Sequence, residues 1–508
     1  MLTPFAARSW TRRAALRSGG RALAWAGAVA LLQACAATGQ APSTASSSAA
    51  QAAATTTGQT AAVAHAGASP ATAAAQSPAG TVAISWLVPE DPLLGKFAND
   101  GIAPAFQQAN PAIKVTVISP GQTSYGEKLL ALVAGGTPPT VFTDWGGASF
   151  FTLWNRKLLT DLSTYLGQAH VNTDFLLPLY VKQYTVDGKL YAIPWNSNPN
   201  FIAYNKTLFE KYSVPLPPID WNDKSWTTDK LVQTAQSLTH DTGDPTTSIF
   251  GLTMGTGTCG SLAWLWNSDP FNNTGGPEDS SVYHGTPLTA VYATRQGMVD
   301  AMGWRADLML KYRVFPTGDA AKAITAQHGL FSGRLGMVQQ AGGWLERGAA
   351  AAQPNFSWGI APFPYGPGGR NTMQREDNAW YLCQQAKNLD AGFQLTIFAV
   401  RGKGADDLIS YAKDNPPLAD TSYLGKWAQD ILKIPGFAMS QSDFVSVFEG
   451  GVKAGFGDPT NIIDNASQFG SDFTDNMDAV WTGQKTPLTA LQSVQAKWEG
   501  DVKQLVGR

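Results

Sequence analysis

Seventeen tryptophans stand in this chain of 508 residues, an unusual density of indoles. Sugar rings present apolar C–H faces and hydroxyl edges, so aromatic faces hold them from above and planar carboxylates or amides hold them at the rim. Trp beside Asp, Glu and Asn at strand ends is the expected palette. Trp264 and Trp266 lie two apart with Asn267 following. On extended backbone they share a face and form a platform; helical or core packing is the alternative for one of them. Asp144, next to Trp145, has the chemistry to accept hydroxyl protons, or to cap a helix.

Catalysis finds less support. The five histidines show no pair at metal spacing, and no zinc, Walker or Gly-x-Ser-x-Gly motif is present. We therefore expect no metal, no cofactor and no enzyme. Asp472, Asp475 and Asp478 lack the Gly and terminal Glu of a calcium loop and read as a solvated helix face. A secreted carbohydrate hydrolase stays open as an alternative; it needs two carboxylates about 5 to 10 Å apart. Nucleic acid is excluded as a partner, because the net charge is −2 and the pI near 6.2. Cys259 and Cys383 are read as two separately buried thiols rather than a disulfide.

The elements that carry these residues alternate. With 44% hydrophobic and 15% charged residues, the chain can build a sizeable core. Val82 to Val88 is an apolar run suited to a strand covered on both faces. Ile102, Ala103 and Phe106 recur at helical spacing until Asn110-Pro111. Ile113, Val115 and Val117 then alternate with polar residues as a strand. Leu129 to Val133 lie on a helix stopped by Gly135-Gly136, and Val141-Phe142 opens a third strand. This βαβαβ order predicts a parallel sheet with ligands at the carboxyl ends of its strands. Tyr184 to Ile193 reads as a hairpin turning at Asp187-Gly188 in type I′ geometry. Phe201 to Tyr204 is a short strand, Asn205 caps the next helix, and Leu231, Val232, Ala235 and Leu238 share a helical face ahead of a buried strand, Ile249 to Met254.

The amino-terminal end differs from the rest. Arg8, Arg12, Arg13, Arg17 and Arg21 occur in the first 35 residues with no acid, leaving 31 basic against 38 acidic residues beyond them. An apolar run from Ala22 to Ala34 follows, too short to span a bilayer and suited to a signal-peptide core. Residues 1–34 are thus expected to be an export signal, and Thr11-Arg12-Arg13 leaves a twin-arginine route open beside a generic basic one. Leu32-Gln33-Ala34-Cys35 resembles the lipobox of bacterial lipoproteins, which implies lipid on Cys35 and a membrane anchor. Residues 36–80 lack Lys, Arg, Asp and Glu, so 35–80 reads as a lipidated cysteine and flexible tether.

Several segments, in order, resemble the bacterial extracellular solute-binding proteins of sugar ABC importers, the maltose-binding-like family. They include Asn110-Pro111-Ala112-Ile113, Ala134-Gly135-Gly136-Thr137-Pro138-Pro139, Asp187-Gly188-Lys189-Leu190-Tyr191-Ala192-Ile193-Pro194 and Ala203-Tyr204-Asn205-Lys206. Phe331-Ser332-Gly333-Arg334-Leu335-Gly336-Met337, Gly342-Gly343-Trp344 and Trp358-Gly359-Ile360-Ala361-Pro362 continue the match. The resemblance implies an α/β, two-lobed periplasmic-binding-protein fold of type II, each lobe a mostly parallel sheet flanked by helices, with the ligand cleft between lobes. Lobe one is expected over 81–194 and 376–420, and lobe two over 195–375 and 421–508. It implies a carbohydrate ligand, an oligosaccharide in that family's manner, delivered to ABC permease subunits by a monomeric, exported, lipid-anchored protein facing the periplasm or the extracellular side. A non-sugar solute such as glycerol phosphate is the alternative cargo.

The same resemblance assigns site residues. Trp344 matches the family's stacking aromatic in the second lobe, and Trp145 matches a sugar-stacking Trp in the first. Glu90, in the loop after the first strand, sits where the family presents polar contacts. Asn198 stands where maltose-type members carry a Glu, a departure that changes the sugar. Asp377, placed before a strand Ala379 to Cys383, is expected to reach the cleft near the hinge, or to form a loop salt bridge.

Overall fold

The computed structural model describes residues 80–508 apart from 91–93, 122–123, 146–147, 328, 342–348, 350, 412–419 and 507–508. The expected export signal (1–34), Cys35 and the expected tether up to residue 79 lie outside the described residues. The body opens with β1 (Val82–Leu87), α1 (Ala103–Ala109), β2 (Ile113–Ile118), α2 (Tyr125–Ala134) and β3 (Val141–Thr143). β1 pairs in parallel with both β2 and β3, as the alternating pattern predicts. Ile102, Ala103 and Phe106 are all buried, which explains their spacing.

Next come α3 (Pro178–Gln183), β4 (Thr185–Val186) and β5 (Lys189–Leu190). The last two form the expected antiparallel hairpin, with Asp187 at φ 50° and Gly188 at φ 75°. Two positive φ values define the type I′ turn, whose twist suits the flanking strands. The chain then runs through β6 (Ile193–Asn205), a single strand of 13 residues where the sequence suggested a hairpin arm and a separate short strand. All of its residues are buried, so the polar Asn196, Ser197, Asn198 and Asn200 hid its continuity from a hydrophobicity pattern. Asn205 caps the following helix, its side chain accepting from Leu208 N at 3.1 Å.

The second half adds α4 (Thr228–Leu238), β7 (Phe250–Thr253), a 3₁₀ segment Thr258–Trp266, α5 (Gln296–Leu310), β8 (Leu335–Ala341) and β9 (Trp358–Ala361). β10 (Gln374–Leu382) returns to the first half, followed by α6 (Leu389–Val400), α7 (Gln441–Ala454), β11 (Phe456–Gly457), α8 (Ala466–Trp481) and α9 (Pro487–Val506). The strand order is β2-β1-β3-β10-β6-β8-β7, with β11 on β10 and β9 on β6. β7 and β8 are parallel, while β6 and β10 run antiparallel to each other and to β8 and β3 respectively. The amino-terminal part of β6 pairs with β10 and its remainder with β8 and β9. The positions 194/195 and 375/376, expected as lobe junctions, fall within the continuous strands β6 and β10.

Much of the tryptophan is core. Trp86, Trp195, Trp264, Trp358, Trp380, Trp427 and Trp498 are all under 2% exposed. Trp195 stacks on Trp380 at 5.3 Å, and Trp86 meets Trp380 edge-on at 5.1 Å. In the second half, Trp358 and Trp427 anchor a cluster with Phe201, Phe444 and Phe448. Burying an apolar side chain of this kind contributes roughly 1.5–3 kcal/mol each. Stability, before ligand, accounts for these indoles.

Candidate functional site

The paired strands β6 and β10 carry polar residues at every second position. Cα partners across β6 and β10 are Asn196 with Asn378, Ser197 with Asp377, Asn198 with Glu376 and Pro199 with Arg375. Successive side chains alternate faces, so the pair divides into two chemically distinct sides. One side carries Ser197, Arg375 and Asp377; the other carries Asn196, Asn198, Glu376 and Asn378, continued by Asn200 and Gln374.

The first side is a closed ion pair. Asp377 and Arg375 have side chains 0% and 1% exposed, with Nη2 and Oδ2 2.8 Å apart. Arg375 Nε donates to both carboxylate oxygens at 3.0 Å, and Ser197 Oγ and Tyr180 OH donate to Oδ1 at 2.8 and 3.3 Å. Arg375 Nη1 donates to Val452 O at 2.9 Å and to Gly455 O, and its guanidinium lies 4.4 Å from the Tyr180 ring centre. Burial pushes the Asp377 carboxyl up, opposed by Arg375; burial alone lowers the guanidinium, and Asp377 more than reverses this. Of the two roles expected for Asp377, this is the salt bridge, and it joins α3, β10 and the carboxyl end of α7.

The second side is a ladder of carboxamides, and most rungs are occupied by the protein itself. Asn378 N donates to Asn196 Oδ1 at 2.7 Å, Asn200 Nδ2 to Gln374 O at 2.7 Å, and Gln339 Nε2 to Asn200 Oδ1 at 3.0 Å. Gln374 Oε1 accepts from Thr258 N at 2.7 Å and Ser261 Oγ at 2.6 Å, and its amide also reaches Asp458. Asn198 differs: it is 4% exposed, and its Oδ1 has no hydrogen-bond partner. An unsatisfied buried acceptor costs about 1–3 kcal/mol. Opposite it stands Glu376, half-buried.

Two strand ends fall near this rung, since Thr143 of β3 pairs with Trp380 of β10 and Ala341 of β8 with Asn200 of β6. β3 leads into Asp144 and the half-buried Trp145; β7 leads into Gly255, whose N donates to Gln339 Oε1 at 3.0 Å. β8 ends at Ala341, and Trp344 just beyond it lies outside the described residues. Carboxyl ends of parallel strands are where open α/β sheets receive ligands. Glu90, after β1, is exposed, with its N donating to Pro120 O at 2.7 Å. Asp144 is 3% exposed and bonded to β10, and burial drives its carboxyl well above the usual carboxylate range.

Two expectations need correction. Trp264 and Trp266 do not share an extended face, because they lie on the 3₁₀ segment. That segment is kinked at Cys259 (φ 53°) and Gly260 (φ 81°). A Cβ at Gly260 would sit 2.9 Å from Met298 Cε and Phe473 Cε2, so close packing there demands glycine. Trp264 is 0% exposed, edge-on to Tyr283 and Phe456. Trp266 is half-buried, 5.4 Å from the ring of Trp304. Secondly, the acidic face on α8 is only partly solvated, since Asp472 is 6% exposed and Lys497 Nζ lies 3.0 Å from it. Cys259 and Cys383 are free and buried. The reading of single residues missed Asn196, Asn200, Gln374, Glu376 and Asn378. The signal was there in the two period-2 runs, Asn-x-Asn-x-Asn at 196–200 and Gln-x-Glu-x-Asn at 374–378.

Comparison with known proteins bears on this arrangement. Residues 91–406, well over half the chain, match the family model of the bacterial extracellular solute-binding proteins. A probable ABC transporter-binding protein of Deinococcus radiodurans is 36% identical over 73 residues, which are 14% of this chain and only 17% of that protein. An ABC substrate-binding protein from Listeria monocytogenes, solved in complex with cycloalternan, superposes with TM-score 0.63 at 18% identity, over 84% of this chain and 99% of that one. A cyclo/maltodextrin-binding protein complexed with maltotetraose gives TM-score 0.61 at 18% identity, over 82% and 97%. The fold is thus the two-lobed periplasmic-binding-protein fold of type II, and the chain belongs to the bacterial extracellular solute-binding protein family.

Proposed function

We propose that this protein captures a carbohydrate, an oligosaccharide in particular, between its lobes and delivers it to the permease of an ABC importer. The observation that carries this reading is the unpartnered Asn198 Oδ1 on β6, in a rung near the strand end that carries Trp145. It combines a buried amide oxygen without a partner, a carboxylate opposite and an indole at the adjacent strand end. Planar amide and carboxylate groups take sugar hydroxyls, and the indole takes a ring face. Trp145, Asn198 and Glu376 are the contacts we assign, with Trp344 after β8 as the second-lobe stacking partner and Glu90 at the rim. Asp377 and Trp264 we assign to the scaffold instead, and Trp266 to the surface beside Trp304.

Ligand held by both lobes favours the closed state, which the permease reads as occupancy. A phosphate-bearing cargo is less well served, because Arg375, the cation on β10, is neutralised by Asp377. Hydrolysis is disfavoured for a related reason: Asp144 and Asp377 both spend their carboxylates on the protein's own donors. We further read the protein as exported and held at the membrane by lipid on Cys35, with residues 36–80 as tether.

The test is a titration against neutral sugars, including maltotetraose and mannotriose, followed by Trp emission and Tm. At a hundredfold excess over Kd, binding should add about 2.7 kcal/mol of stability. No response to any sugar in the panel would defeat the reading.

A further inference from the structure

Asp144 closes β3 one residue before Trp145, yet its own contacts run to β10. Ala379 N donates to its Oδ1 at 2.8 Å, Asn378 Nδ2 donates to its backbone O at 3.1 Å, and Thr143 Oγ1 lies 3.2 Å from Oδ1. These bonds fall where the register between β10 and β6 shifts, between Asn378 and Ala379. Such an irregularity disrupts the ladder and bends the strand, leaving it in need of other partners. Asn378 in turn donates its backbone N–H to Asn196 Oδ1 at 2.7 Å, and Asn196 and Asn378 form the rung next to Asn198 and Glu376. A chain of short bonds thus links the end of β3 to the Asn196–Asn378 rung, which neighbours that of Asn198 and Glu376.

We propose that Asp144 is a positioning residue of the ligand cleft: its carboxyl clamps the β10 irregularity to the end of β3, and so fixes the Asn198–Glu376 rung relative to Trp145. The inference rests on the reading of that rung as the sugar site, and it replaces direct contact between Asp144 and ligand. The other oxygen supports the assignment. Oδ2 is buried without a hydrogen-bond partner, so Oδ1 is the carboxylate oxygen that holds β10. Asparagine at this position keeps the Oδ1 acceptor for Ala379. Alanine leaves the Ala379 N–H without its acceptor.

The experiment compares Asp144→Asn and Asp144→Ala in the full chain, using amide hydrogen exchange at residues 378–380 without ligand and binding of maltotetraose and mannotriose. The asparagine variant should keep the protection of Ala379 and bind within about twofold of the parent. The alanine variant should lose protection there and bind at least about tenfold more weakly, which corresponds to about 1.4 kcal/mol. Should alanine prevent folding, Asp144→Ser, too short to reach Ala379, replaces it, and Asn378→Ala removes the second contact alone. Alanine or serine that exposes Ala379 yet binds normally would reduce Asp144 to a merely structural role and overturn the proposal. So would unaltered protection, or an asparagine variant as weak as alanine, since that implicates charge rather than the acceptor. If the parent chain binds neither sugar, the cargo reading fails, while exchange at Ala379 still decides whether the clamp exists.

Discussion

Asp377→Ala should be among the most damaging single substitutions in β6 and β10. It removes the acceptor of three Arg375 contacts at 2.8–3.0 Å and of the Ser197 and Tyr180 hydroxyls. The guanidinium left behind is 1% exposed and has no route to solvent. Breaking a buried pair by removing one partner costs about 3–5 kcal/mol, because the surviving charge is uncompensated. Against a typical total of about 5–15 kcal/mol, that is a large fraction of stability. Urea unfolding followed by far-UV circular dichroism should show a lower midpoint with an unchanged slope. The companion experiment is Asp377→Leu with Arg375→Met, which removes both charges; replacing a whole pair by apolar residues is often neutral or stabilising. The double variant should therefore recover most of the loss. A single variant costing under about 1 kcal/mol, or a double variant no better than the single, would refute the view of this pair as a closed structural unit.

Other outcomes follow from the same geometry. Asn198→Ala should weaken neutral oligosaccharide binding at least about tenfold while leaving Tm equal or slightly higher, because the amide oxygen it removes is buried without a partner; paired calorimetry and melting curves check this. Trp145→Ala should likewise cost affinity with little stability, whereas Trp264→Ala should cost about 3–5 kcal/mol of stability in denaturant titrations. Burial pushes the Asp269 carboxyl up to about 6. A folded pKa above the unfolded one means stability present at low pH and lost as pH rises toward 6, about 3 kcal/mol at most. Melting curves between pH 4 and 6 should show that loss in the parent and a flatter profile in Asp269→Asn. Cys35→Ala should release the protein from membranes, and retention in the membrane fraction would contradict the lipid anchor.

Local chemistry was legible where it depends on neighbours along the chain. Asp187-Gly188 signalled its turn because two positive φ values suit few residue pairs, and Asn205 signalled its cap because a side-chain acceptor two or three residues before free N–H groups has one obvious use. The strands β1, β2, β3 and β7 were readable from apolar runs for the same reason. β6 was not, because its buried middle is made of Asn and Ser satisfied, apart from Asn198, by partners distant in sequence, chiefly on β10. Indole abundance misled in a related way: nine Trp side chains are core among the described residues, and only tertiary packing separates Trp264, sealed by Tyr283 and Phe456, from Trp145 at a strand end. Asp144 and Asp377 looked like ligand contacts because carboxylates in a strand suggest exposure. Their donors come from β10, α3 and β6, which no spacing rule brings together.

The central claim is that a sugar sits on β6 and β10, against Asn198 and Glu376, with Trp145 over a ring. A crystal structure of the protein with a saturating oligosaccharide tests it most directly. The electron density should show a sugar hydroxyl within hydrogen-bond distance of Asn198 Oδ1 and a ring face on the Trp145 indole. Sugar density elsewhere on the molecule, with Asn198 still unpartnered, would contradict it.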